Sequence, residues 1–160
     1  MRTMICAMIF LSVQAFAQDS TKTVITVFYF GGSDCPYCID HRNVQNINKM
    51  RAELPRLYHD MSFKFVLVVM DKEIERGMRY SKKYPAWDEV CIGQFYDNEM
   101  MLEHVNQSPL PAVPHIMVYR DSLRLGKLNI PTIGNRALLI DLVGENAIAK
   151  WGKAGYALKQ

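Results

Sequence analysis

Residues Thr23–Phe30 read T-V-I-T-V-F-Y-F, and they run straight into Gly31-Gly32. A run this short, apolar and rich in β-branched and aromatic residues is a strand covered on both faces. The glycine pair ends it and lets the backbone turn tightly. The next residues are Ser33-Asp34-Cys35-Pro36-Tyr37-Cys38-Ile39-Asp40-His41, two cysteines separated by two residues at the start of a helix-patterned segment. The chain is therefore organised around a buried strand that delivers a cysteine pair to a strand-to-helix junction.

That junction suits reversible disulfide chemistry. The first thiol sits at a helix N-terminus, where unpaired N–H groups and the macrodipole favour a thiolate. Pro36 fits the first helical turn, since it has no N–H to leave unpaired and its φ is already helical. With two residues between them, Cys38 can attack a mixed disulfide formed on Cys35. Ser33 and Asp34 are N-cap residue types ahead of the helix. The helix carries Ile39, Val44, Ile47, Leu54 and Leu57 at mostly three- and four-residue steps, and Pro55 is expected to break or kink it. His41 reads as a solvent-facing helix residue; on the same face as Cys38 it could support a thiolate when protonated.

Phe63–Met70 is a second apolar strand, so the first strand, the helix and this strand form a right-handed βαβ unit. Asp71–Tyr84 is charged and helical, with a solvated face of Arg and Lys residues. A short helix is expected over Asn98–Asn106, with Met100, Met101 and Leu102 used in packing. Ser108–Pro111 is a rigid loop. Ile116–Tyr119 reads as a third strand, Asp121-Ser122 as a turn, and Leu123–Leu128 as a weaker fourth strand. Asn135 is placed as the cap of a last helix that begins R-A-L-L-I-D-L-V and is interrupted at Gly144 before Ala147–Trp151. No internal repeat, low-complexity tract or interdomain linker is visible.

The first residues stand apart. Met1-Arg2-Thr3 is a basic start, and Met4–Val13 is an apolar run of signal-peptide length, too short for a membrane span. Ala15-Phe16-Ala17 is a cleavage-site pattern. The expected organisation is a cleaved signal peptide at 1–17 and one domain at 18–160, secreted to the periplasm or another extracytoplasmic space, with no membrane span in the mature chain. Cys6 leaves with the signal, so the mature cysteines are Cys35, Cys38 and Cys91. Disulfides persist in such a compartment. The net charge of the whole chain is +3, and processing removes one Arg and no acid. A charge this small, with no aromatic-basic stripe, gives no basis for nucleic-acid binding.

The segment V-I-T-V-F-Y-F-G-G-S-D-C-P-Y-C resembles the active-site strand, loop and helix of thioredoxin-fold proteins, and Pro36-Tyr37 is similar to the pair in glutaredoxins. A second element strengthens the likeness. Ala112-Val113-Pro114-His115 precedes the third strand, at the point of the chain where thioredoxin-like folds carry a cis-proline. The resemblance implies an α/β thioredoxin-like fold: a central mixed sheet of about four strands flanked by helices, with an addition between the second strand and the cis-proline. It implies a cis Val113–Pro114 bond and a protein disulfide oxidoreductase with Cys35 and Cys38 as catalytic residues. Val113, Pro114, Pro36 and Tyr37 would then contact substrate. The expected partners are cysteine-containing proteins and an unidentified redox partner, with no cofactor and no metal. Two departures stand out. Tyr29 takes the position six residues before the first cysteine where thioredoxin has a buried Asp, and Ile133-Gly134-Asn135-Arg136 is not the glutathione-contact motif of glutaredoxins.

Two readings from other classes remain beside this one. Cys35, Cys38 and Cys91 with His41, His104 or His115 could form a zinc or copper site in a metallochaperone-like protein. Alternatively the chain is a non-catalytic binding module whose Cys35–Cys38 disulfide is structural. For Cys91 the sequence favours a buried structural thiol over a third redox cysteine.

Overall fold

A computed structural model describes residues 22–84, 87–126 and 130–158. The signal peptide and cleavage site expected at the N-terminus lie outside the described residues. In chain order the elements are β1 (Lys22–Gly31), α1 (Pro36–Ile39), α2 (His41–Leu57), β2 (Ser62–Val69), α3 (Ile74–Ser81), β3 (Glu89–Ile92), α4 (Glu99–Glu103), β4 (His115–Leu125), β5 (Pro131–Val143) and α5 (Glu145–Lys153). Single 3-10 turns at Phe95–Asp97 and Val105–Gln107 flank α4.

The five strands form one mixed sheet in the order β3-β2-β1-β4-β5. β1 runs parallel to β2 and antiparallel to β4; β3 is parallel to β2, and β5 is antiparallel to β4. As its composition requires, β1 is central and buried on both faces from Val24 to Gly31. On one face Ile25, Val27 and Tyr29 pack with Leu67, Ile116, Val118 and Ile140 under α2, α3 and α5, which contribute Ile47, Met50, Leu54, Tyr80, Ile148 and Trp151. On the other face Phe28, Phe30, Val66, Val68, Met117 and Tyr119 pack with Met101 and Val105 of the addition. Each such fully buried side chain contributes about 1.5–3 kcal/mol of transfer free energy, so the sheet's two faces dominate what holds the fold.

The structure corrects several local expectations. The sheet has five strands rather than about four, because Glu89–Ile92 adds an edge strand that is too short to show a period. The stretch R-A-L-L-I-D-L-V is strand β5, not helix: it pairs along β4 from Leu125–Pro131 to His115–Val143, and two register shifts blur its alternation. Gly144, with φ of 87°, separates it from α5. Asp121-Ser122 is not a turn but lies inside β4, where Asp121 is buried. The expected fourth strand at Leu123–Leu128 is the end of β4, with 127–129 outside the described residues. Pro55 does not break its helix; it lies inside α2, which continues to Leu57. The break falls instead at Asp40, whose ψ of 134° ends α1, and whose carboxylate accepts from the Arg42 N–H to start α2.

Candidate active site

The site sits where β1 ends. Gly31 and Gly32 carry the chain from β1 into the cysteine turn, and a Cβ at Gly31 would run into the Tyr80 hydroxyl. Cys35 itself is the N-cap of α1: its Sγ accepts from the Cys38 N–H at 3.1 Å. Ser33 and Asp34, read from sequence as cap types, are used differently. The Ser33 hydroxyl and N–H both donate to the buried Asp71, while Asp34 is exposed and pairs with Arg76 of α3. Arg76 Nε also lies 3.5 Å from Asp71. It is thus no solvated bystander, as the charge pattern implied, but the counter-charge for the carboxylate next to Cys35. That pairing weakens the opposition that Asp34 would otherwise offer to a thiolate.

Cys35 and Cys38 are joined as a disulfide, with Cα atoms 5.1 Å apart. Their surroundings differ. Cys35 is partly exposed, whereas Cys38 is fully buried. Pro36 and Tyr37 project outward between them, with Tyr37 60% exposed. The Val113–Pro114 peptide bond is cis. The Val113 carbonyl oxygen lies 3.6 Å from Cys35 Sγ, which brings the two sequence-identified segments together at one point. The Pro114 carbonyl accepts from the Gly144 N–H at 2.8 Å, so the β5–α5 junction anchors this loop. Beside Val113 opens a groove of about 650 Å³ lined by Met70, Met101, Leu102, Val105 and Pro111, with Tyr96 at its rim. All six of these side chains lie between β2 and Pro114.

Beneath Cys38 lies a group of side chains that sequence reasoning missed. Tyr29, Tyr80 and Tyr84 bring their hydroxyls together, and Asn43 of α2 donates to the Tyr29 oxygen at 3.0 Å. Tyr84 donates to the carbonyl of Cys38 at 3.2 Å. Burial raises the pKa of all three phenols, so they remain protonated. Only Tyr29 carried a hint in the sequence, through its distance from Cys35; Tyr80 and Tyr84 lie tens of residues away and leave no local pattern.

The residues considered for a metal site do not converge. His41 is exposed on α2. His104 bonds to Tyr119 and Arg136, and His115 bonds to Asp141 at 2.5 Å. Among the described residues no three His, Cys, Asp or Glu side chains gather as a metal site. Cys91 lies on the edge strand β3, partly buried, with its Sγ 3.4 Å from Glu89, which in turn pairs with Lys64 at 2.6 Å. Burial and the Glu89 carboxylate push the Cys91 thiol up to about 11. Native Cys91 is therefore expected to react slowly with iodoacetamide at pH 8, and Cys91→Ala should leave disulfide exchange unchanged. Rapid labelling in the folded protein, or lost turnover in the variant, would place Cys91 in the chemistry.

The strand order, the cysteine turn after β1 and the cis-proline before β4 make this a thioredoxin-like fold. The pair at its centre is a C-x-x-C disulfide at the N-terminus of α1, beside the cis-proline. No family model matches the chain, and no curated protein matches it in sequence. Among solved structures it is similar to a thioredoxin-like protein of Bacteroides caccae, at 12% identity and a TM-score of 0.48, over 81% of this chain and 40% of that one. This chain thus spans less than half the length of the Bacteroides caccae protein. It is also similar to a thiol:disulfide interchange protein of a Bacteroides species, at 16% identity and a TM-score of 0.43, over 86% and 75% of the two chains. A third likeness is to the thioredoxin domain of a thiol-disulfide oxidoreductase of Bacteroides vulgatus, at 15% identity and 0.43, over 84% and 79%.

Proposed function

We propose that the chain is an exported protein disulfide oxidoreductase that exchanges disulfides with cysteine-bearing proteins. The observation that carries this reading is the asymmetry of the pair: Cys35 is open to a partner beside Val113, and Cys38 is closed behind it. Cys35 is the attacking sulfur and Cys38 the resolving one. Val113 and Pro114, with Pro36 and Tyr37, form the surface that a substrate chain meets. The apolar groove next to Val113 suits side chains flanking a substrate cysteine. No cofactor is required, because the two sulfurs carry the electrons, and a separate redox partner recharges the pair.

The reduction potential of the Cys35–Cys38 pair, measured against glutathione buffers, tests this directly. A value within the range of thioredoxins and their relatives supports exchange. One well below about −300 mV would favour the structural disulfide of a binding module instead.

Export rests on the basic start, apolar run and A-x-A pattern in residues 1–17. No described helix is long and apolar enough to cross a membrane. Sequencing the native protein should give a mature N-terminus near Gln18. Recovery of intact Met1 from the producing cell would remove both the export reading and the compartment that goes with it.

A further inference from the structure

We propose that Tyr84 is the positioning residue of the resolving cysteine, its hydroxyl holding the main chain of Cys38 in place for attack on a mixed disulfide at Cys35. The inference rests on the redox reading of the pair and adds a residue outside both sequence-identified segments.

The helix break at Asp40 creates the need. In an unbroken α-helix the carbonyl of Cys38 would accept from the N–H of Arg42. Here that N–H donates to Asp40 Oδ1 at 2.9 Å. Cys38 is fully buried, so water does not replace the lost donor, and an unpaired buried carbonyl is costly. The Tyr84 hydroxyl supplies it at 3.2 Å. A carbonyl can only accept, so the single proton of Tyr84 goes to Cys38 and its oxygen is left to accept. Tyr80, 3.0 Å from that oxygen, is placed to donate to it; the Tyr29 oxygen, 3.3 Å away, is the other acceptor in reach of the Tyr84 proton and is already supplied by the Asn43 amide from α2. The Tyr84 ring is fixed separately by edge contacts with Tyr29, Tyr80 and Trp87. Because burial raises all three phenols, the donor stays protonated wherever thiols react.

In the resolving step Cys38 loses its thiol proton and its sulfur bonds to Cys35 Sγ. The Cys35–substrate disulfide breaks, and the substrate sulfur leaves with the electron pair and takes up one proton. The pair is oxidised and the substrate reduced. The rate depends on how well Cys38 Sγ is held in line with that bond, which is a question of main-chain placement.

The test uses the mature protein in a Cys91→Ala background, reduced and then mixed with dithiobis-nitrobenzoate. Cys35 attack releases one coloured thiolate, and Cys38 attack on the resulting mixed disulfide releases a second. Tyr84→Phe keeps the ring and removes the hydroxyl. It should leave the first release unchanged, slow the second roughly tenfold and shift the reduction potential of the pair. Tyr58→Phe removes a partly buried hydroxyl that bonds main chain, at Tyr156 and Leu158, and controls for general loosening. A second release unchanged in Tyr84→Phe, or slowed equally in Tyr58→Phe, overturns the proposal. If Tyr84→Phe does not fold, fluorotyrosine at position 84 keeps the hydroxyl and strengthens it as a donor; an unchanged second release then counts against Tyr84. A parent protein that gives no release at all removes the redox reading itself, which separates the two failures.

Discussion

Cys35→Ser is expected to reduce insulin-reduction activity to background, while Cys38→Ser should accumulate mixed disulfides with substrate that are visible on non-reducing gels. The two variants differ because attack and resolution are separate steps. On the proposed function, a chain without Cys35 engages no partner thiol or disulfide, and one without Cys38 does not itself release the partner it has engaged. Both variants should remain folded. A disulfide that closes so short a loop contributes only roughly 2 kcal/mol in the chain-entropy model, and most of the core on both faces of β1 is built from other side chains. That small structural return is itself an argument for redox use of the pair. At Cys38 the serine hydroxyl is buried, so some further loss of stability, about 1–3 kcal/mol, is expected there. Thermal unfolding separates this from the loss of chemistry. Equal activity of the parent and both serine variants would end the catalytic reading.

The parts of this site that were legible in the sequence are the parts built by neighbours in the chain. Thr23–Phe30, the glycine pair, Cys35-Pro36-Tyr37-Cys38 and Val113-Pro114 each carry their own local signature, and the order of these segments was enough to expect the fold. What stayed hidden depends on partners far away in sequence. The charge pattern gave Arg76 a solvated face because nothing local says that Asp34 and Asp71 converge on it. Leu138, Leu139 and Ile140 suit a helix as well as a strand, and only the long pairing with β4 decides. Asp121-Ser122 looked like a turn because an aspartate in the middle of a strand needs a buried partner, and that partner, Arg136, lies on the segment read as helix. One misassignment therefore produced the other.

The largest stability effect is expected at this pair. Asp121 has a side chain only 2% exposed, and Arg136 grips it with two hydrogen bonds, Nε to Oδ1 at 2.7 Å and Nη2 to Oδ2 at 2.9 Å. Thr26 adds a third at 2.7 Å. Burial alone would raise the Asp121 carboxyl, yet the bonds from Arg136 and Thr26 outweigh it and hold the group below the ordinary range. The guanidinium also stacks over the rings of Phe28 and Tyr119, which ties it to the sheet face. Arg136→Met fills similar space but leaves the carboxylate buried without its counter-charge, at a cost of about 3–5 kcal/mol. The double variant Asp121→Leu/Arg136→Met should recover much of that loss, since no charge is then stranded. His104 gives the pair a pH signature. Its Nε2 faces Arg136 at 3.4 Å, and burial together with that positive charge pushes its pKa down to about 4. Between about pH 6.5, the ordinary histidine value, and pH 4 the unfolded chain therefore binds a proton that the folded one refuses. Parent stability falls as pH drops through that window. Removing the Arg136 charge lets His104 protonate more easily and lets Asp121 take up a proton when folded, and both changes offset the loss at low pH. The penalty of Arg136→Met, measured by guanidinium chloride titration, should be greatest near pH 7 and shrink toward pH 4. A penalty independent of pH, or a double variant no more stable than the single one, would show that Asp121 and Arg136 do not act as a buried pair.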